Sequence, residues 1–218
     1  MIKGPSTRKT CTFCKIFFFL EMGCAISGLV PKQVGDVIDD VPIVHLTDEH
    51  REIIKETWKV IQENIAKVGI IMFVGLFETH PECKDVFFLF RDVEDLERLR
   101  NNKELQTHGL RIMHFIEKSV ARLNQMERLD QLILDLGKSH YRYNSPPKYY
   151  MYVGAEFIRA VQPILKDNWT SEVEEAWKTL FLYITSIMKQ GYVEEEKNQR
   201  NTMANTRRER PEKRLNVI

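Results

Sequence analysis

From about residue 46 to 194, apolar side chains return every three or four positions, and no strand-like alternation interrupts them. A period near 3.6 belongs to a helix with one buried face. Ile54, Trp58, Ile61 and Ile65 make the first such face. Thr47 stands ahead of it as an N-cap, and Asp48 and Glu49 suit the positive end of the helix. A second helix is predicted from about Lys67 to Thr79, stopping before Pro81, which opens a short third one. That piece ends in the aromatic cluster Phe87, Phe88 and Phe90, and the charged stretch from Asp92 to Arg100 reads as a small helix. Leu105, His108, Ile112, Phe115, Ile116, Ser119 and Leu123 then share one face of a long helix. Leu129, Leu132, Ile133, Leu136 and His140 line a shorter one. Pro146 and Pro147 open the next, and Ser171 with Glu174 forms a capping box for the last, whose face is Val173, Trp177, Leu180, Ile184 and Ile187. The pattern predicts an all-α fold of seven to eight helices.

The flanks lack that pattern. Residues 1–45 are expected to be an irregular, flexible tail, broken by Gly28, Pro31, Gly35 and Pro42. Residues 195–218 hold hardly any large apolar side chains and are rich in Lys and Arg, so a disordered basic C-terminal tail is expected. The apolar run from Ile16 to Leu20 is shorter than the roughly 7–15 residues of a secretory core or the roughly 20 of a spanning helix. Neither feature is therefore expected.

Charge and cysteine usage narrow the picture. A formal net charge of +1 argues against a nucleic-acid partner. Three of the four cysteines, Cys11, Cys14 and Cys24, crowd the N-terminus, and only Cys83 lies in the helical body. This is no disulfide framework, and a reducing compartment is the simplest expectation. Gly69 and Gly109 stand inside predicted helices, where each costs about 1 kcal/mol relative to Ala. Lacking a Cβ, the pair would let two backbones approach closely, so the two helices are expected to cross there.

His108 and His140 are the candidate chemistry. Each lies on the apolar face of its own helix. A histidine so placed is often only a hydrogen-bonded core residue. Two of them on separate helices point further, because imidazole is a good iron ligand and a dry apolar pocket suits a porphyrin. No acidic pair or Ser or Cys nucleophile constellation competes with them.

These residues, taken in order, resemble the globin family over about residues 46–194. Trp58 matches the tryptophan of the first helix, Phe73 the distal-facing position of the second, and Pro81 the start of the third. Phe87 and Phe90 match the two aromatics of the corner that follows, His108 the distal histidine with Arg111 and Ile112 after it, and His140 the proximal histidine. Within the family the resemblance is closest to globin X, a membrane-anchored, neuroglobin-like six-coordinate type. The stretch Leu136-Gly137-Lys138-Ser139-His140 is similar to neuroglobin, and Met22-Gly23-Cys24-Ala25-Ile26-Ser27 is similar to the globin X start.

The resemblance implies a globin fold around haem b. His140 would be the fifth iron ligand, fixed through a carbonyl near Leu136, and His108 the sixth. Phe87 would stack on the ring beside Phe90, Phe73 and Ile112 would keep the distal side apolar, and Arg111 would pair with a propionate. Oxygen, nitric oxide, carbon monoxide or nitrite are the implied ligands, with electron transfer from a reductase or nitrite reduction as redox roles. A five-coordinate soluble oxygen store and a haem-free interaction module remain alternatives. Gly23 and Cys24 would take myristate and palmitate, anchoring the chain at the cytosolic face of the plasma membrane; without acylation it would be cytoplasmic. The residues preceding Met22 would block myristoylation in a chain started at Met1.

Overall fold

The computed structural model of the chain describes residues 44–87 and 89–208, with side chains to 204, all within the unit Pro42–Ile218. Gly23, Cys24 and Phe88 lie outside them. Seven α-helices and no strands occur among the described residues: α1 Asp48–Ile61, α2 Ile65–Thr79, α3 Leu96–Arg100, α4 Lys103–Val120, α5 Met126–Arg142, α6 Tyr150–Leu165 and α7 Ser171–Arg208. Short 3-10 turns at Gln62–Asn64, Pro81–Val86, Pro147–Tyr149 and Lys166–Asn168 join or extend them.

Local chemistry sets several helix starts. The Thr47 hydroxyl accepts from the His50 amide at 3.1 Å, as expected of an N-cap. Asp95 accepts from the amides of Glu97 and Arg98, and Asn102 from those of Glu104 and Leu105. At α7 the capping hydroxyl is Thr170, which accepts from the Val173 amide at 3.3 Å. The Ser171 box does not form; Ser171 is already inside the helix and Glu174 turns to Lys178. The chain reverses after α5 at Asn144, which has φ 55°, a conformation Asn tolerates better than most residues.

The core forms where the apolar faces meet. α1 and α6 pack on α7, α2 packs on α4 and α6, and α5 runs along α7. Trp58, Phe157 and Trp177 join the first, sixth and seventh helices, with ring centroids 6.3 and 4.9 Å from Trp177. The Trp177 indole donates to the Thr57 hydroxyl at 3.0 Å, so its buried N–H has a partner. Residues 48–79 are long and apolar enough by composition to cross a membrane. In the fold, Val68, Met72, Phe73, Leu76 and Phe77 of that stretch are buried, as in the core helix of a globule.

The expected disordered tail at 195–218 is corrected by the structure as far as Arg208. α7 continues through Gly191 with no break, and Glu195 is buried. Large apolar residues are not needed there. Glu, Lys, Gln, Arg, Met and Ala are strong helix formers, no Pro intervenes before Pro211, and Glu196 pairs with Arg200 at 2.8 Å one turn on.

Candidate functional site

The histidine of α4 is placed by a helix crossing. A Cβ on Gly69 would sit 2.8 Å from the Gly109 carbonyl carbon, and one on Gly109 equally close to that of Gly69. The two backbones are therefore in contact, as the paired glycines predict. Phe73 is one turn along from Gly69 and His108 adjoins Gly109, so the crossing brings their rings to 4.9 Å. The 3-10 turn Pro81–Val86 ends at Phe87, which the Lys84 carbonyl holds through the Phe87 amide at 2.9 Å. The Phe87 ring meets His108 edge-on at 5.3 Å and Phe73 at 5.6 Å. Phe90 is buried behind Phe87, with centroids 6.2 Å apart.

A cavity of about 200 Å³ opens beside this cluster, lined by Phe87, Leu89, Phe90, Glu104, His108 and Arg111. Its wall is apolar toward the corner and charged toward α4. Arg111 is exposed and makes no ion pair among the described residues. Ile112, one turn past His108, is half-buried against the core.

His140 lies in the last turn of α5. Its Nδ1 is 2.9 Å from the Leu136 carbonyl. A carbonyl only accepts, so Nδ1 carries the proton and Nε2 keeps its lone pair. Tyr150 packs edge-on to the imidazole at 5.4 Å and is itself fixed by donating to the Ser145 carbonyl at 3.1 Å.

Electrostatics keep both imidazoles neutral. Burial, then the Arg111 guanidinium, then His140, push the His108 pKa from 6.5 down to about 4. Burial also lowers that of His140, opposed in part by the Leu136 carbonyl. Two neutral imidazoles, one with its tautomer fixed and both walled by aromatics, fit the needs of a haem iron, whose macrocycle already supplies four of six ligands.

The structure thus brings together Phe73, Phe87 and His108, sets Phe90 and Arg111 around the adjoining cavity, and joins Leu136 to His140. Sequence reasoning missed Phe77, whose ring lies 5.9 Å from Phe73 and 5.3 Å from Phe87. Its spacing of four from Phe73 was the available signal. Tyr150 had none beyond its place after two prolines. Gly137 and Gly191 were also missed. A Cβ on Gly137 would run into the Met188 carbonyl, and one on Gly191 into the Leu134 carbonyl, so α5 and α7 touch through their backbones as α2 and α4 do.

Residues 71–188 match the family model described as Globin. Cytoglobin-2 of Danio rerio is 29% identical over 136 residues, covering 62% of this chain and 76% of its own. Neuroglobin of Dissostichus mawsoni is 24% identical over 147 residues, covering 67% and 92%. In fold, the chain is similar to a hexacoordinated haem protein from an anhydrobiotic tardigrade, with a TM-score of 0.64 at 22% identity, covering 69% of this chain and 97% of the other.

Proposed function

This chain belongs to the globin family of haem-binding proteins, and on that premise we propose that it is a six-coordinate globin in which His140 and His108 both ligate the iron of haem b. The observation that carries the reading is the pairing of two neutral imidazoles, with His140 Nδ1 committed to the Leu136 carbonyl at 2.9 Å and His108 boxed by the rings of Phe73 and Phe87.

Each residue then has a role. The Leu136 carbonyl orients the His140 ring, keeps Nε2 free for the metal and strengthens it as a donor. Tyr150 limits the tilt of that ring. Phe87 would stack on the macrocycle with Phe90 behind it, while Phe73 and Ile112 would keep water from the His108 side. Arg111, which lines the cavity, would pair with a propionate. Bound iron supplies the position at which oxygen, nitric oxide or carbon monoxide is taken. His108 would compete for that position, so apparent affinity is scaled down to the fraction of molecules in which it has swung away.

The deoxy ferrous absorption spectrum tests the reading. Sharp split visible bands are expected of two histidine ligands. A single broad band would leave a five-coordinate oxygen store, and no Soret band after reconstitution would leave a haem-free module.

We also propose acylation at Gly23 and Cys24, in a chain started at Met22, as the route to the cytosolic face of the plasma membrane. The support is the Met-Gly-x-x-x-Ser pattern with a neighbouring cysteine, since one acyl chain binds weakly and two hold. Cell fractionation of the Met22-started chain with Gly23→Ala and Cys24→Ser together checks it: the double variant is expected in the soluble fraction, and retention on the membrane at parental level overturns it.

A further inference from the structure

α7 does not end where the family match ends. The match stops at Met188, and the helix continues for twenty residues, 189–208. The first half of this continuation is engaged by α5, the helix that carries His140. Gly191 lets the α7 backbone reach the Leu134 carbonyl. Glu194 pairs with Lys138 at 3.2 Å, and the Tyr192 ring meets Tyr141 edge-on at 5.2 Å. Glu195, buried in its surroundings, accepts from Arg142 Nε at 3.1 Å and from Gln199 at 3.1 Å.

These contacts fall on the residues flanking His140 on either side. The last turn of a helix is where opening begins, and here the carbonyls of Ser139, His140 and Tyr141 are held by the amides of Tyr143, Ser145 and Asn144 in the short reversal that follows. Here that turn also holds the Leu136 carbonyl bond to His140. A turn that opened would release the imidazole from its orientation.

We propose that Gly191–Gln199 is a latch on the last turn of α5, with Glu195 and Tyr192 as positioning residues that hold His140 in its ligating orientation. The role of the latch toward iron rests on the haem reading above; its grip on α5 does not.

The test uses the full chain as parent, Glu195→Gln, Tyr192→Ala, Arg142→Gln and Arg142→Lys. In the haem-free protein, amide exchange at residues 139–143 is expected to quicken about tenfold in Glu195→Gln, Tyr192→Ala and Arg142→Gln and to return toward parent in Arg142→Lys, with α2 and α4 unchanged. In the haem-loaded protein, loss of haem to an excess of acceptor apoglobin should quicken in the same three variants, and the five-coordinate fraction of the ferrous spectrum should rise. Parental exchange in that turn, or quickening spread evenly over the chain, overturns the latch. Faster exchange with unchanged haem loss and spectrum overturns the link to His140. A parent that takes up no haem defeats the haem reading instead, and the exchange data alone then decide the latch on α5.

Discussion

His140 and His108 differ in how they are held, and their substitutions should differ accordingly. His140 is bonded to its own helix through Leu136, whereas aromatic rings and no hydrogen bond position His108 among the described residues. His140→Ala is expected to abolish stable haem retention, read as loss of the Soret band after gel filtration; retention with a parental spectrum overturns its assignment. His108→Leu should keep haem, give a broad five-coordinate deoxy band and bind carbon monoxide faster in flash photolysis. The same residue makes the haem-free fold acid-sensitive. With its pKa lowered from 6.5 to about 4 in the fold, His108 is protonated between those values only in the unfolded chain. Stability therefore falls as pH drops through that window, while above it this residue adds no pH dependence. The urea midpoint of the apoprotein should drop between pH 7 and 4.5, and the drop should be smaller in His108→Leu. An equal drop in both chains contradicts the assignment.

Two glycine contacts place the helices that carry these residues. At Gly69 and Gly109 any side chain meets backbone, which cannot swing aside as a flexible side chain would. Gly69→Val should overpack the crossing and cost about 1–3 kcal/mol or more, measured by urea denaturation of the apoprotein. Gly137→Ala should cost comparably, because its Cβ meets the Met188 carbonyl. It should also weaken haem binding if His140 ligates the iron, since α5 carries that residue. If either variant unfolds at the parental midpoint, the backbones are not in contact at that point. By contrast a Cβ on Gly154 would meet the Phe181 side chain at 3.0 Å, a shallower overlap than those with backbone at the other glycines, so Gly154→Ala should be the milder change.

Across the whole molecule, the Trp177 indole donates to the Thr57 hydroxyl and joins α7 to α1. Thr57→Val keeps the shape and strands a buried N–H, which costs about 1–3 kcal/mol. A lower urea midpoint with an unchanged haem spectrum is expected, because the contact lies away from both histidines. A spectral change would mean that the packing of α1 on α7 reaches the site. The extension of α7 works at the same scale. It continues beyond the matched family region and adds ion pairs to α5, the helix that carries His140.

The order of apolar faces along the chain was enough to determine an all-α fold and most of its helices, and residue type added the Gly69–Gly109 crossing and the placement of His108 and His140 on inward helix faces. Each depends on periodicity or on a residue type with few alternative uses, and both are local properties. The end of α7 was not legible, because a helix of polar residues carries no buried stripe and its partner Arg142 is 53 positions from Glu195. The Thr170 cap lay one residue from the expected Ser171, because either hydroxyl satisfies the pattern and only the path of the backbone selects between them. Phe77 and Tyr150 read as ordinary apolar positions until neighbouring helices brought them to Phe87 and His140. The tertiary structure alone decided what surrounds each imidazole. Burial and neighbouring charge, and with them the neutral state of both rings, arise from segments far apart in sequence packing into one place.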